Sequence, residues 1–312
     1  MKLGIIGLGK IGSNLAIQAF EKKIKVVGKA TSKKPELEKI GITVVDGYED
    51  FVSFLDKPRV IYLSLPAGPT VDLVLNELCQ FLEKGDVVMD GGNSFYLDSI
   101  RREKEMWQKE IYLLECGTSG GIYGARNGAC FMVGGRERGI KIAEPILKKL
   151  AINDDAYIHT GKSGSGHFVK LVHNGIEFGM LEAIGERVTL LRRCDFNLDS
   201  AQIFKNWSNG SVIRGWLMEL MGKGLTEGPE FDKIESYIED TGEVNWLIQE
   251  SIIREIPIPI ILQSVTELFK SRYNQNDTYK AIALMRHGFG GHPFGADKYI
   301  ANERKSSRIQ KV

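Results

Sequence analysis

The stretch Lys2-Leu-Gly-Ile-Ile-Gly-Leu-Gly-Lys-Ile-Gly12 is an apolar run followed by three glycines in the spacing GxGxxG. In a strand–turn–helix unit, Gly7 permits a tight turn, Gly9 lets the backbone approach a pyrophosphate, and Gly12 lets the helix pack closely on the strand. The helix N-terminus then faces the phosphates with unpaired N–H groups and the positive end of its dipole. The spacing alone is weak evidence, but its position directly after the first predicted strand favours a dinucleotide site over a structural turn. We expect six residues to contact the cofactor, namely Gly7, Leu8, Gly9, Lys10, Ile11 and Gly12.

The rest of the first half alternates short apolar runs with helix-like stretches such as Gly12–Lys22. Such alternation implies right-handed crossovers and a mostly parallel sheet. The fold class predicted is α/β, with an N-terminal Rossmann-type doubly wound sheet followed by an all-helical C-terminal domain. Strands are expected at Lys2–Ile6, Lys25–Val27, Ile42–Val45, Val60–Leu65, Val87–Asp90 and Tyr112–Glu115, with Phe131–Val133 and Ala156–His159 as candidate extensions.

The pattern changes after Gly161-Lys-Ser-Gly-Ser-Gly166, because His167 to about Cys194 has the periodicity of one long helix and the remainder is also helical. We therefore predict an NAD(P)-binding domain over residues 1–160. A helical domain for substrate binding and oligomerisation is predicted over residues 161–312. The glycine-rich stretch itself fits either a flexible linker or a hinge at the edge of a cleft. The basic C-terminal residues Lys305, Arg308 and Lys311 are expected to form a solvated end.

Composition excludes several classes of protein. The 312 residues carry 41 Lys+Arg against 40 Asp+Glu, a net charge of +1, so there is no electrostatic case for a nucleic-acid or membrane-surface partner. The four cysteines are widely separated and lack zinc-type spacing, which indicates free thiols in a reducing compartment. The most apolar stretch, Ile256–Leu262, is short and contains two prolines. We expect a cytoplasmic protein with no metal site and no membrane span.

The end of the second predicted strand indicates which dinucleotide binds. An acidic residue there binds the ribose 2′-hydroxyl of NAD, whereas basic and hydroxyl residues accept the 2′-phosphate of NADP. The sequence Val27-Gly-Lys-Ala-Thr-Ser-Lys-Lys34 has no acid, and Thr31, Ser32 and Lys33 supply donors and positive charge. NADP is therefore predicted over NAD, which stays possible if these lysines only form a solvated turn.

Four further stretches carry residues suited to chemistry. Asp90-Gly-Gly-Asn-Ser94 and Gly117–Ala125 follow predicted strands, at the edge where open α/β sheets bind ligands. In His167-Phe-Val-Lys-Leu-Val-His-Asn-Gly-Ile-Glu177, helical spacing puts four polar residues on one face, namely Lys170, His173, Asn174 and Glu177. Such a stripe fits a solvated face or a satisfied core histidine as well as a site. The fourth stretch is Arg286-His-Gly-Phe-Gly-Gly-His292.

Together these stretches resemble the decarboxylating 6-phosphogluconate dehydrogenase family in its short form, within the β-hydroxyacid dehydrogenase superfamily. The resemblance implies oxidation of a sugar acid at C3, loss of CO₂ to give ribulose 5-phosphate, and a place in the pentose phosphate pathway or gluconate utilisation. It implies that Lys170 is the general base for the 3-hydroxyl and later the acid that assists decarboxylation. Glu177 is implied as the acid that protonates C1 of the enediol.

The resemblance also implies the binding residues. Six residues are expected to hold the carboxylate and hydroxyls of the sugar acid, namely Asn93, Ser119, Gly120, Gly121, His173 and Asn174. Arg286 and His292 are implied at the distal end of the substrate. Four residues are expected against the cofactor beyond the glycine loop and the second strand, namely Leu65, Pro66, Ala67 and Asn93. A homodimer or homotetramer is expected, with the helical domains packed together.

Three positions depart from the family pattern at the distal end of the substrate. Phe178 stands where the family has a tyrosine, Leu268 where it has an arginine, and Asn245 where a basic residue is usual. Lys270 and Arg272 lie close by in sequence and are candidates to compensate. The leading prediction is oxidation of 6-phosphogluconate. One alternative is the same chemistry on another 6-substituted gluconate, and a second is a nucleotide-sensing protein without turnover.

Overall fold

The computed structural model describes residues 1–309 and divides the chain into two compact units. The first unit contains Met1–Leu171 and the segment that begins at Lys305, and the second contains Val172–Arg304. The division falls inside one long helix, Ser165–Arg193. The functional boundary between residues 160 and 161 stays a prediction.

The first unit is built on one eight-stranded sheet in the order β3-β2-β1-β4-β5-β6-β7-β8. Neighbouring strands are parallel except β6 and β7, which are antiparallel. This arrangement confirms the predicted doubly wound sheet. The strands are β1 (Lys2–Ile6), β2 (Lys25–Lys29), β3 (Thr43–Val45), β4 (Val60–Leu63), β5 (Val87–Asp90), β6 (Tyr112–Ser119), β7 (Cys130–Gly134) and β8 (Tyr157–Gly161).

The central strands are buried on both faces, as expected for a parallel sheet covered by helices. Tyr62 and Met89 point into an apolar cluster on one face, whereas Ile61 and Val88 point into a second cluster on the other. The helices of this unit are α1 (Lys10–Glu21), α2 (Pro35–Glu38), α3 (Tyr48–Ser53), α4 (Pro69–Leu78), α5 (Tyr96–Trp107), α6 (Gly121–Asn127), α7 (Glu137–Leu150) and the start of α8 (Ser165–Arg193). A short 3₁₀ turn covers Asp154–Ala156.

The second unit, as predicted, is helical throughout its described length. After α8 it contains α9 (Ser200–Trp207), α10 (Trp216–Glu227), α11 (Val244–Ile253), α12 (Pro259–Lys270), α13 (Asp277–Gly290) and most of α14 (Lys298–Ser306), with a 3₁₀ turn at Phe231–Lys233. Phe204, Met221 and Met285 are fully buried in its single apolar cluster. Among residues 1–309, no helix combines the length and apolar character needed to cross a bilayer.

The strand β6 is longer than the sequence predicts. It was expected to end at Glu115, before a glycine-rich loop, but it continues to Ser119 because Gly117 pairs with Met132 and Ser119 with Cys130. Ladder hydrogen bonds from an antiparallel neighbour sustain a strand that local sequence assigns to a turn.

The prediction of a solvated C-terminal end is wrong for Arg308. Its guanidinium carbon lies 5.5 Å from the centre of the Phe95 ring, and the next backbone N–H, of Ile309, donates to the Asp98 carboxylate at 2.9 Å. Lys305 is exposed as expected, whereas Lys311 lies outside the described residues. The segment is held to the first unit because a buried carboxylate accepts its backbone N–H.

Candidate active site

The turn between β1 and α1 has the geometry that the glycine spacing predicts. Gly7 has a positive φ of 92°, and a Cβ there would lie 2.3 Å from the carbonyl oxygen of Ser64. A Cβ at Gly12 would lie 2.0 Å from the carbonyl oxygen of Gly7, so only glycine lets helix and strand approach this closely. Gly9 caps α1, and a Cβ there would have nothing within 4 Å. The space beside the helix N-terminus is therefore open to a ligand.

The five residues that follow β2, from Ala30 to Lys34, carry no carboxylate. Thr31, Ser32 and Lys33 are exposed at this end of the strand, as a nucleotide-contacting turn requires. Lys29, the last residue of β2, is instead buried, with its ammonium nitrogen 4.2 Å from the centre of the Tyr48 ring. The exposed hydroxyls and Lys33 are thus the groups available to a ligand here.

The loops after β4 and β5 meet the glycine turn. The Leu65 side chain would lie 3.0 Å from a Cβ at Gly7, and the Leu65 carbonyl oxygen 2.7 Å from one at Gly92. Pro66 is exposed and Ala67 buried in the same loop. The carboxyl ends of β1, β4 and β5 therefore bring these predicted cofactor residues together at one edge of the sheet.

The Asp90 carboxylate shapes the loop that carries Asn93. Its two oxygens accept the backbone N–H of Gly92 at 3.1 Å and the Ser94 hydroxyl at 2.7 Å. The buried Arg102 guanidinium lies 3.6 Å from the same carboxylate and balances its charge. Because Gly92 and Ser94 on either side are hydrogen-bonded to Asp90, the exposed Asn93 lies in a loop of fixed conformation.

Ser119, Gly120 and Gly121 form a tight connection between β6 and α6. Ser119 ends the strand, and both glycines have positive φ, 118° and 58°. All three residues are partly exposed at the edge where the other strand ends lie. This position fits the predicted contact with a substrate.

Lys170 is buried at the beginning of α8, with 7% of its surface exposed. A Cβ at Gly117 would lie 2.7 Å from the Cβ of Lys170, so the helix is in near-backbone contact with β6. The positive charge of Lys170 also acts on the thiol of Cys130, whose pKa is raised by burial and partly lowered again by the lysine. Lys170 is therefore fixed beside the end of β6, and not on a solvated face.

Sequence reasoning missed two buried polar residues beside this lysine. His167 faces the carbonyl oxygen of Asp90 with Nε2 at 3.1 Å and the Ser99 hydroxyl with Nδ1 at 2.7 Å. Burial lowers the pKa of His167, and a neutral ring that donates from Nε2 satisfies both contacts. The second residue is Glu115 on β6, whose carboxylate accepts hydrogen bonds from Ser163 and Gly164, just before the start of α8. His167 lies within the predicted stretch, but no local pattern marked Glu115.

The second unit carries the rest of the polar stripe on α8. Asn174 is buried, whereas His173 and Glu177 are partly exposed. The Nδ1 atom of His173 lies 3.2 Å from the Asn174 side-chain oxygen. The helix therefore places an imidazole, an amide and a carboxylate in succession along one face, with only the amide fully withdrawn from solvent.

Arg286 lies on α13. It is buried, its Nη2 donates to the carbonyl oxygen of Glu239 at 3.0 Å, and its guanidinium carbon lies 5.6 Å from the centre of the Phe178 ring. His292 follows the end of α13 and its ring packs edge-on against Phe289. The structure thus brings Arg286 to Phe178, one of the residues that departs from the family pattern.

Lys270 and Arg272, the two candidates to compensate at the distal end, are both paired with carboxylates. Lys270 is paired with Glu267, and Arg272 donates to the Asp240 carboxylate at 2.8 Å and lies 3.9 Å from that of Glu239. Leu268 is buried in the apolar cluster of the second unit, which also contains Phe178. The two nearby cations are therefore engaged with carboxylates, and the Leu268 position is filled by core packing.

Comparisons with known proteins cover almost the whole chain. Residues 2–161 match the model described as the NAD binding domain of 6-phosphogluconate dehydrogenase, and residues 166–305 match that of the 6-phosphogluconate dehydrogenase C-terminal domain. Among the described residues, no group of three or more His, Cys, Asp and Glu side chains is arranged to hold a metal ion.

Individual relatives agree with these models. The Bacillus subtilis protein YqeC is 38% identical over 294 residues, covering 94% of this chain and 98% of its own. A NAD(+)-dependent, decarboxylating 6-phosphogluconate dehydrogenase of Haloferax volcanii is 36% identical over 295 residues, with the same shares covered. The solved Plasmodium falciparum 6-phosphogluconate dehydrogenase superposes with a TM-score of 0.78 at 27% identity, over 89% of this chain and 66% of that one.

Proposed function

The chain belongs to the 6-phosphogluconate dehydrogenase family of NAD(P)-dependent oxidoreductases, and we propose that it converts 6-phosphogluconate to ribulose 5-phosphate and CO₂. The observation that carries this proposal is the placement of Lys170. A lysine buried against Gly117, at the strand end that carries Ser119, has the desolvated setting in which an amine can act as a base. The stripe that begins at Lys170 supplies the acid for the last step, Glu177, two helical turns further along α8.

The glycine turn fits a dinucleotide. The open space at Gly9 beside the N-terminus of α1 accommodates a pyrophosphate, and the loop of Leu65, Pro66 and Ala67 closes the same edge of the sheet. In this proposal Thr31, Ser32 and Lys33, which are exposed after β2, hold the ribose 2′-substituent, and Asn93 contacts the nicotinamide end. When bound, the nicotinamide supplies a hydride acceptor.

Lys170 moves the protons at the oxygen on C3. It takes the proton of the 3-hydroxyl as that carbon is oxidised, which leaves a 3-keto acid and a lysine ammonium. The ammonium then returns its proton to the new carbonyl oxygen, where negative charge develops as the carboxylate leaves as CO₂, and the neutral enediol results. Ser119, Gly120, Gly121, His173 and Asn174 orient the carboxylate and hydroxyls during these steps.

Glu177 completes the reaction by donating a proton to C1 of the five-carbon enediol, while Lys170 takes back the proton of the hydroxyl on the neighbouring carbon so that the ketone of ribulose 5-phosphate forms. It is partly exposed, so it can be reprotonated from solvent between turnovers. Lys170 and Glu177 are seven residues apart on one helix, about 10 Å along its axis. Their spacing of i and i+7 puts both on the same face of the helix.

A turnover assay tests the proposal directly. Purified protein is incubated with NADP or NAD and with 6-phosphogluconate, gluconate or other 6-substituted gluconates. Formation of reduced cofactor is followed by absorbance, and CO₂ is measured in the same reaction. Equal yields of reduced cofactor and CO₂ with 6-phosphogluconate support the proposal, whereas oxidation without CO₂ contradicts it.

A second candidate substrate is favoured by the distal end. Phe178 and Leu268 belong to one apolar cluster, and Lys270 and Arg272 are already paired with carboxylates. A phosphate dianion therefore has Arg286 and His292 as its candidate contacts in this region. A gluconate with a different 6-substituent would not require as many cationic contacts as a phosphate dianion does. The substrate panel separates these candidates by kcat/KM.

NADP is the proposed cofactor, with NAD as the alternative. The residues after β2 include no carboxylate that would repel a 2′-phosphate, and Lys33 is exposed there. The comparison of kcat/KM for the two cofactors decides between them.

We further propose a homodimer or homotetramer in the cytoplasm. The second unit exposes a group of large apolar side chains around α11 and α12, with exposed fractions of 45% or more, namely Ile252, Ile253, Ile256, Ile260 and Leu262. Apolar residues in such a group fit a surface that packs against a second copy. All four cysteines are free thiols, which is in keeping with a reducing compartment. Light scattering on the purified protein tests the oligomeric state.

A further inference from the structure

Glu115 is a fully buried carboxylate that the proposed reaction does not use. It lies on β6, two residues before Gly117 and four before Ser119, so all three share one face of the strand. This face also meets α8, since Gly117 contacts Lys170. Glu115 therefore lies under the beginning of the helix that carries the proposed base.

The Glu115 carboxylate accepts three hydrogen bonds at the start of α8, two from the residues just before the helix and one from its second residue. One oxygen accepts the Ser163 hydroxyl at 2.8 Å, and the other accepts the backbone N–H of Gly164 at 2.7 Å and of Gly166 at 3.4 Å. The first N–H groups of a helix have no partner within it. A side chain from a strand about fifty residues earlier thus serves as the cap of α8.

The contact between α8 and the sheet is so close that the beginning of the helix has little room to move. A Cβ at Gly166 would lie 2.6 Å from the backbone nitrogen of Gly134 and 2.8 Å from the carbonyl oxygen of Glu115. A Cβ at Gly134 would lie 2.3 Å from the Glu115 carboxylate. The glycines let the helix lie directly on the strands, and the carboxylate fixes its first turn there.

We propose that Glu115 is a positioning residue, whose carboxylate holds the first turn of α8 on β6 and thereby sets the place of Lys170. The inference rests on the proposed function of Lys170 as the base. The glycine-rich stretch before α8 is accordingly neither a free linker nor a hinge at this point, because three of its groups are bonded to one buried side chain.

Two variants separate the hydrogen bonds from the charge. Glu115→Ala removes both acceptor oxygens. Glu115→Gln keeps one acceptor for the two backbone N–H groups and can donate its amide to the Ser163 hydroxyl. We expect Glu115→Ala to lower kcat by about 10- to 100-fold, since displacement of a catalytic group by about 1 Å has effects of that size. Glu115→Gln should retain kcat within about threefold, and both variants should bind NADP as the wild type does.

Glu103→Ala is the matched control. Glu103 is also buried in the first unit, but it lies on α5 and pairs with Arg136. Its loss should lower stability without lowering kcat. Hydrogen exchange of the peptide over residues 163–171 supplies a readout besides activity, and it should rise in Glu115→Ala but not in Glu115→Gln or Glu103→Ala.

Failure of this inference is distinguishable from failure of the proposed function. If the wild type oxidises none of the sugar acids in the panel, the proposed function is wrong. If the wild type is active and Glu115→Ala keeps its kcat, the inference is overturned. A Glu115→Gln enzyme as slow as Glu115→Ala also overturns it, because the charge would then matter and not the hydrogen bonds. Should Glu115→Ala fail to fold, Glu115→Gln and the exchange of the wild type at residues 163–171 decide the same question, and rapid exchange there contradicts the inference.

Discussion

The guanidinium carbon of Arg286 lies 5.6 Å from the centre of the Phe178 ring, and the arginine is held in place by the Glu239 carbonyl oxygen. The family pattern has a tyrosine at position 178, so Phe178→Tyr adds a hydroxyl to a ring that is already packed. We expect this variant to lower the KM for 6-phosphogluconate by about tenfold with little change in kcat, because one charge-assisted hydrogen bond contributes roughly 1.5–3 kcal/mol. Steady-state kinetics of both proteins measure the effect.

The corresponding change toward the family pattern at position 268, Leu268→Arg, is expected to destabilise the protein. Leu268 is 4% exposed in the apolar cluster, so Leu268→Arg buries a cation there and should destabilise the fold. Leu268→Met, which conserves volume, serves as the control.

Two outcomes would contradict the assignment of a phosphate to the distal end. One is a wild-type protein that prefers another 6-substituted gluconate to 6-phosphogluconate, and the other is a Phe178→Tyr variant whose KM is unchanged. In either case the phosphate ester is not the substrate that this end binds.

Lys170→Met removes the proposed base while keeping an unbranched side chain of similar length against Gly117. We expect kcat to fall by about 10²- to 10⁴-fold, the usual cost of losing a general base, with the Kd for NADP unchanged. The exposed Lys162 provides the control, since Lys162→Met should leave kcat unaltered. Retention of more than about a tenth of wild-type kcat would show that Lys170 is not the base.

Glu177→Gln should slow the last proton transfer more than the oxidation. A single-turnover experiment is then expected to show rapid formation of reduced cofactor followed by slow release of ribulose 5-phosphate. Glu186→Gln, at an exposed position further along α8, should behave as the wild type does. Equal slowing of reduced-cofactor formation and product release would remove Glu177 from the acid role.

Ala30→Asp should move cofactor preference toward NAD. The new carboxylate follows β2 directly, where it can accept the ribose 2′-hydroxyl and repel a 2′-phosphate. Ala30→Asn has the same shape without the charge and should change the preference less. The measurement is kcat/KM for both cofactors in all three proteins, and a wild type that already prefers NAD contradicts the prediction of NADP.

The titration of Glu115 should make the free energy of unfolding depend on pH. Burial raises the pKa of Glu115 from the ordinary 4.5 to about 7, even though three hydrogen bonds favour its ionised form. Between those values the folded protein holds a proton that the unfolded chain has released, so this group lowers stability as pH rises through that window. The free energy of unfolding of Glu115→Gln, relative to that of the wild type, should therefore rise by on the order of 2 kcal/mol from about pH 5 to about pH 8.

Urea unfolding at several pH values measures that gain. Glu103→Gln, at the buried carboxylate paired with Arg136, should show no such gain because removal of the paired charge leaves Arg136 without its partner. A constant difference between Glu115→Gln and the wild type across the pH range would mean that Glu115 titrates near its ordinary value when folded.

Local sequence patterns were enough to predict the fold class and the nucleotide turn. Strand and helix periodicity are local properties, and each of the three glycines has a backbone reason that can be read from its spacing. The structure agrees at Gly7, where φ is positive, and at Gly12, where a Cβ would strike the backbone. Helical spacing likewise placed Lys170 and Glu177 on one face of α8 before any contact was known.

The surroundings of those residues depend on tertiary packing and could not be predicted from local sequence. The burial of Lys170 depends on Gly117, and the cap of α8 on Glu115, both about fifty residues earlier in the chain. The engagement of Arg272 with Asp240 and the docking of Ile309 on Asp98 are likewise contacts between distant positions. Local sequence reports the conformation that a segment prefers, whereas desolvation and ion pairing depend on which segments meet, and that is settled only when the chain is packed.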